Sequence, residues 1–96
     1  MRLYSSATSP FVRKVLVLIR EAGISGVDLV PAAGTPVAPG TMPVDHNPLG
    51  KIPALETPDG PMFEAAAMLL WLSDTHAPNR LAPAPNAPDR AAFLKW

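Results

Sequence analysis

Ser9-Pro10 is the first of three short stretches whose residue types could bind or activate a small ligand. It ends a polar cluster and stands directly before a long apolar run. A serine before a helix-opening proline is a typical N-cap. The free N–H groups and partial positive charge at a helix N-terminus also favour a bound anion. The stretch alone leaves two roles open for Ser9, a structural cap or a hydroxyl that stabilises a substrate anion.

Lys51-Ile52-Pro53 forms the second stretch, at the start of a predicted strand. A cis bond between Ile52 and Pro53 would turn the Ile52 backbone out of the sheet ladder, where it could pair with an extended peptide. Lys51 could then meet a carboxylate of that peptide. The alternative is an ordinary strand-opening proline beside a solvated lysine.

Glu64 and Ala65 form the third stretch, at the start of a second apolar helical run. An acid in this position can cap the helix and compensate its dipole. It can also accept a hydrogen bond from a ligand ammonium while the helix N–H groups hold a neighbouring carboxylate. An amino acid head group requires that combination of one acceptor beside several donors.

Composition excludes several classes of function. The 96 residues include eight basic and eight acidic side chains, so no basic surface is expected for nucleic acid or an anionic membrane. There is no cysteine, which excludes disulfides, thiolate metal sites and dithiol redox chemistry.

His46 and His76 lack metal-ligand partners at a useful spacing, and Asp45-His46 is interpreted as a polar loop pair. The densest apolar run, Val15 to Ile19, is far shorter than the ~20 residues of a membrane span. We therefore expect a cytoplasmic protein without a metal.

The elements that must position these residues follow a β-α-β-loop-β-β-α order. Ser9, Pro10 and Gly23 favour a helix over the apolar run between them. Dense prolines and glycines predict a loop over 31–43. The other predicted elements are strands at Leu3-Tyr4, 27–30, 52–57 and 61–63 and a helix over 65–75. This order predicts an α/β fold with a mixed four-stranded sheet and helices on both faces.

Domain boundaries follow from proline content. Residues 1–78 are predicted to form the ligand-binding domain, and 79–88 a stiff proline-rich linker. Residues 89–96 are predicted to begin an all-helical C-terminal domain that is truncated here. The low charged fraction of 17%, against ~25% in typical domains, indicates apolar surface that another domain or chain covers.

Ser9-Pro10-Phe11, "NPLGKIPAL" from residue 47, and Glu64 before the second helix resemble the N-terminal domain of the glutathione transferase family, which has a thioredoxin-like fold. The resemblance covers essentially residues 1 to 78 and is greatest to bacterial members with a serine active site, similar to the tau and zeta classes. It implies a homodimeric, full-length enzyme that uses glutathione as co-substrate and attacks a small electrophile. The 96 residues alone are expected to hold at most half of that site and to have little conjugating activity.

The resemblance also implies roles for individual residues. Ser9 would donate a hydrogen bond to the glutathione sulfur and favour the thiolate. Ser5 and Ser6 are nearby alternatives for that donor. Pro53 would be cis, Ile52 would hold the cysteinyl part through its backbone, Lys51 would lie near the glycine carboxylate, and Glu64 would face the γ-glutamyl ammonium.

The energies show what the Ser9 hydroxyl would have to supply. Lowering a thiol pKa by ~2 needs ~2.7 kcal/mol. A hydrogen bond to a charged acceptor provides ~1.5–3 kcal/mol and the helix dipole only ~0.3–1 kcal/mol, so the hydroxyl is required.

Two departures from the family pattern concern glutathione affinity. Family members usually carry Ser or Thr where this chain has Ala65, which leaves only a backbone N–H for the γ-glutamyl carboxylate. No Lys or Arg occurs between Arg20 and Lys51, although some classes use a basic residue there; His46 or a backbone group is a possible substitute. These departures motivate the alternative prediction of a non-catalytic binding or assembly module. A glutaredoxin-like oxidoreductase is excluded because the chain has no cysteine.

Overall fold

The computed structural model describes residues 1–33, 40–43 and 45–96. Four strands and three helices follow one another in the predicted order. They are β1 (Arg2–Ser5), α1 (Pro10–Glu21), β2 (Asp28–Pro31), β3 (Ala54–Thr57), β4 (Gly60–Phe63), α2 (Ala65–His76) and α3 (Arg90–Lys95). The described parts of the 31–43 connection contain no helix, and residues 34–39 of the predicted loop lie outside the described residues.

The signals at both ends of α1 act as the sequence predicts. Ser9 is the N-cap, and its Oγ accepts a hydrogen bond from the Val12 N–H at 3.3 Å. Pro10 occupies the first helical turn, where no intrahelical donor is required. Gly23 follows the helix with a φ of +66°, a conformation that residues with a Cβ rarely adopt. Both ends of the helix are therefore fixed by local chemistry.

The sheet has the order β2-β1-β3-β4 and mixes parallel and antiparallel pairs. β1 runs parallel to β2, as expected for strands that are joined by a helical crossover, and antiparallel to β3. Leu3 pairs with Leu29 on one side and with Leu55 on the other. β3 and β4 form an antiparallel hairpin. The predicted mixed four-stranded α/β sheet is confirmed.

The main hydrophobic core lies between one face of the sheet and the two long helices. Leu3 and Leu55 point to this face and pack with four buried helical residues: Val15, Ile19, Met68 and Leu72. Side chains alternate between the faces of a strand, so Tyr4 and Ala54 point the other way. There they pack with Ala32 and Met42 from the connection between β2 and β3. Within the described residues, α1 and α2 share one face and loop residues cover the other, so helices do not cover both faces there as the sequence predicted.

Arginine side chains hold the proline-rich segment and α3 against α1 and α2. The Arg80 guanidinium donates to the Glu21 carbonyl at 2.7 Å. Arg90, at the start of α3, donates to the Pro83 carbonyl and lies 3.7 Å from the Asp74 carboxylate. The proline-rich segment 79–88 contains no helix or strand, and these contacts tie it to α1 and α2. No helix among the described residues has the length and apolar character needed to cross a membrane.

Candidate functional site

A cavity of about 680 Å³ opens where the N-terminal ends of α1 and α2 meet the segment before β3. All of the site residues predicted from the sequence line its wall: Ser9, Lys51, Ile52, Pro53, Glu64 and Ala65. They come from three segments that are far apart in the chain and that the parallel β1-β2 and antiparallel β1-β3 pairings bring together. The three polar segments therefore form one continuous cavity wall.

The position of Ser9 reconciles the two roles that the sequence left open. Its Oγ accepts the capping bond from Val12, which uses a lone pair of the hydroxyl oxygen. The hydroxyl proton remains available for donation, because Ser is both donor and acceptor. Of the two alternatives, Ser6 also lines the cavity, where its Oγ lies 3.0 Å from the Thr8 hydroxyl. Ser5 lies within β1 and does not line the cavity.

The segment before β3 presents backbone groups to the cavity. The Ile52–Pro53 peptide bond is cis, as the family resemblance implied. The antiparallel ladder begins only at Ala54, two residues later than the predicted strand, so Ile52 is not paired in the sheet. Ile52 and Pro53 line the cavity beside the exposed Lys51.

Asn47 holds this segment in place through its side chain. This residue was not identified from the sequence. It is buried, its side-chain amide donates to the Lys51 carbonyl at 2.9 Å, and its side-chain oxygen accepts from the Leu49 N–H at 3.0 Å. Both bonds hold the turn that leads into Lys51 and Ile52. The available signal was the Asn-Pro pair at Asn47, because Asn side chains commonly bond to the backbone two residues ahead in turns.

Glu64 occupies the N-cap position of α2 without capping it. Its side chain makes no cap hydrogen bond, so the capping interpretation from the sequence is wrong, and among the described residues no cation pairs with the carboxylate. Its backbone has a φ of +72° and a ψ of 109°. A non-glycine residue in such a conformation costs ~1–3 kcal/mol and is characteristic of functional sites. Ala65 and Ala66 follow it on the cavity wall, where the first N–H groups of α2 have no intrahelical partner.

A separate polar network lies on the sheet face away from α1 and α2. The Tyr4 hydroxyl donates to the Glu56 Oε1 at 2.9 Å, and the His46 Nε2 contacts the same oxygen. The His46 Nδ1 lies 3.2 Å from the Asp45 Oδ1, and the Arg2 Nη1 lies 3.3 Å from the Glu56 Oε2.

The Asp45 and Glu56 carboxylates raise the pKa of His46. The Tyr4 hydroxyl and the imidazole lower the pKa of Glu56. His46 does not line the cavity, and Asp45-His46 is the polar loop pair that the sequence predicted.

This network predicts how stability depends on pH. A raised His46 pKa adds stability that is full below the ordinary value of about 6.5 and is lost as the pH rises through the raised value. The lowered Glu56 pKa adds stability that is present above the ordinary value of 4.5 and is lost as the pH falls through the lowered value. We therefore expect the melting temperature to decline as the pH rises above about 6.5.

Thermal unfolding of the unmodified chain and of His46→Gln across this range measures the effect. The His46→Gln protein should show a flatter profile above pH 6.5. The matched control is His76→Gln, since His76 is exposed at the end of α2. The melting temperature of this variant should still decline as the pH rises. Parallel profiles for the unmodified and His46→Gln proteins would contradict the assignment.

Comparison with known proteins gives the family of the chain. Residues 8–76 match the family model described as "Glutathione S-transferase, N-terminal domain". Because the match covers more than half of the sequence, the chain belongs to the glutathione S-transferase N-terminal domain family.

Two curated relatives and one solved protein illustrate the similarity. Elongation factor 1-gamma of Prunus avium is 35% identical over 80 residues, which are 82% of this chain and 19% of that protein. Glutathione S-transferase 4 of Zea mays is 34% identical over 84 residues, which are 84% of this chain and 36% of that protein. The chain therefore spans much less than half of either relative.

The solved protein is a glutathione transferase family member from Pseudomonas fluorescens Pf-5. Its structure with bound glutathione has a TM-score of 0.84 and 36% identity and covers 98% of this chain and 46% of its own. Its structure with bound S-(propanoic acid)-glutathione has a TM-score of 0.76 and 34% identity, with coverages of 99% and 45%. These similarities confirm the predicted thioredoxin-like fold of a glutathione transferase N-terminal domain.

Proposed function

We propose that this chain binds glutathione in the cavity and stabilises the glutathione thiolate for attack on an electrophile. The observation that carries the proposal is the meeting of Ser9, Ile52 and Glu64 on one cavity wall. In this arrangement Ser9 donates to the sulfur, while the helix N-terminus beside it favours the negative charge. The thiolate is the reactive nucleophile, so a bond that lowers the thiol pKa raises the reactive fraction.

The remaining contacts follow from the charges of the tripeptide. The unpaired backbone of Ile52 holds the cysteinyl residue, as a short added strand would. Lys51 meets the glycine carboxylate, and the uncapped Glu64 carboxylate meets the γ-glutamyl ammonium. The N–H groups at the start of α2, beginning at Ala65, meet the γ-glutamyl carboxylate. Each charged end of glutathione thus has an opposite charge or a set of donors on the cavity wall.

The electrophile and the assembly state belong to this proposal as well. The Pseudomonas fluorescens protein was solved with a sulfur-substituted glutathione, and we infer that this chain likewise accepts a substituent beyond the sulfur. A small electrophile would occupy that space, completed by a helical domain of the parent protein. We infer a homodimeric parent, because Leu70 and Trp71 of α2 remain half-buried and their apolar surface suits an interface.

A non-catalytic glutathione-transferase-like module is the second candidate. Ala65 removes a hydroxyl that members of the family usually direct to the ligand. Several relatives of this chain are elongation factor 1-gamma proteins, including the Prunus avium protein. In this alternative the cavity has no turnover, and the domain serves assembly.

Calorimetry with glutathione separates these two functions. We expect binding with a dissociation constant in the millimolar range, because a missing charge-assisted bond weakens affinity by about ten- to a hundredfold. Cysteinylglycine, which lacks the γ-glutamyl group that Glu64 would contact, is the matched control ligand and should give no measurable heat. Equal heats for the two ligands, or none for glutathione at several millimolar, would favour the non-catalytic module.

A further inference from the structure

Lys14 brings a positive charge to the cavity that the contacts proposed for glutathione do not use. It lies on α1, five residues after Ser9, and lines the cavity together with Phe11 and Leu69. Its Nζ lies 5.5 Å from the centroid of the Phe11 ring. In the described part of the chain, no carboxylate lies within ion-pair distance of this ammonium group. The charge is therefore free to meet a ligand.

The surroundings of Lys14 define the kind of group it would accept. Phe11 is 57% exposed, and Leu69 is half-buried, so both offer apolar contact surface inside the cavity. The other charged residues on the cavity wall, Lys51 and Glu64, come from the segment before β3 and from the start of α2. An apolar wall with one ammonium group matches a compact carbon skeleton that carries a carboxylate.

We propose that Lys14 is a specificity-determining residue that selects electrophiles bearing a carboxylate, a proposal that rests on the glutathione-dependent function above. For an α,β-unsaturated carboxylate, the thiolate sulfur forms a bond to the β-carbon. The π electrons move to the α-carbon, which takes a proton from solvent, and no group leaves. The Lys14 ammonium pairs with the carboxylate in substrate and product alike, and Phe11 contacts the carbon skeleton.

Two glutathione conjugates of equal shape test the proposal by binding alone. S-(2-carboxyethyl)glutathione carries the carboxylate, and S-(2-carbamoylethyl)glutathione replaces it with a neutral amide. We expect calorimetry of the whole 96-residue chain at low salt to show about two- to fivefold tighter binding of the carboxylate, the range of one exposed ion pair. The preference should decrease as salt is added.

Variants on α1 assign the preference to one side chain. Lys14→Gln should bring the ratio of the two affinities close to one, and Lys14→Arg should restore it. Arg13→Gln is the matched control, because Arg13 is the adjacent cation and does not line this cavity. Its ratio should equal that of the unmodified chain.

The outcomes separate this proposal from the proposed function. If glutathione and both conjugates bind but the unmodified chain shows no preference, the role of Lys14 is overturned and glutathione binding stands. A preference that persists in Lys14→Gln overturns it in the same way. If neither glutathione nor any conjugate binds, the proposed function fails and the inference fails with it.

Discussion

Replacing Ser9 with alanine is expected to raise the thiol pKa of bound glutathione by about 1 to 2, because a hydrogen bond to a charged acceptor contributes ~1.5–3 kcal/mol. At a pH below the thiol pKa of the unmodified complex, the thiolate fraction should fall by about ten- to a hundredfold, and the conjugation rate of the full-length parent should fall in proportion. The ultraviolet absorbance of the thiolate, measured against pH at saturating glutathione, reports the pKa directly. An unchanged titration in Ser9→Ala would remove Ser9 from the mechanism.

Controls separate this effect from the capping role of Ser9. Loss of the bond to the Val12 N–H should destabilise Ser9→Ala by about 0.5–2 kcal/mol. Ser9→Gly also lacks the hydroxyl but restores much of the capping preference, so it should be more stable and show the same raised thiol pKa. Ser6→Ala tests the alternative donor on the cavity wall. We expect its thiolate titration to match that of the unmodified protein.

Replacing Ala65 with serine is expected to tighten glutathione binding by about ten- to a hundredfold, because the new hydroxyl can donate to the γ-glutamyl carboxylate. Ala65 is the first residue of α2 and lines the cavity directly after Glu64. Calorimetric titration of glutathione into Ala65→Ser and the unmodified chain measures the gain.

Ala67→Ser is the matched control for this gain of affinity. Ala67 lies two residues further along α2, is exposed, and does not line the cavity. Both substitutions introduce the same side chain into the same helix, so any general effect on helix stability is shared. Equal affinities for Ala65→Ser and the unmodified chain would place the γ-glutamyl carboxylate elsewhere.

The sequence predicted those features that depend on neighbouring residues. Ser9, Pro10 and Gly23 mark the two ends of α1 because capping and backbone conformation are local properties. The parallel β1-β2 pair and the antiparallel β3-β4 pair followed from the helical crossover and the short hairpin. The cis bond at Pro53 was implied by the family resemblance, since an X-Pro bond alone has a prior of only ~5–6%.

Features that depend on distant partners could not be predicted in this way. His46 contacts Tyr4 and Glu56, which lie 42 and 10 residues away, so nothing near His46 in the sequence identifies them. The positive φ of Glu64 has no sequence signal, because glycine is the residue that ordinarily marks such a conformation. Lys14 resembled any exposed helical cation until the fold placed it on the cavity wall.

We propose that residues from three separate segments of the chain hold one glutathione molecule with its sulfur beside Ser9. A crystal structure of the chain with glutathione tests this most directly. We expect the sulfur within hydrogen-bond distance of the Ser9 Oγ, the cysteinyl backbone paired with Ile52, and the ammonium against Glu64. Glutathione bound outside this cavity, or a sulfur that contacts Ser6 while the Ser9 hydroxyl points away, would contradict it.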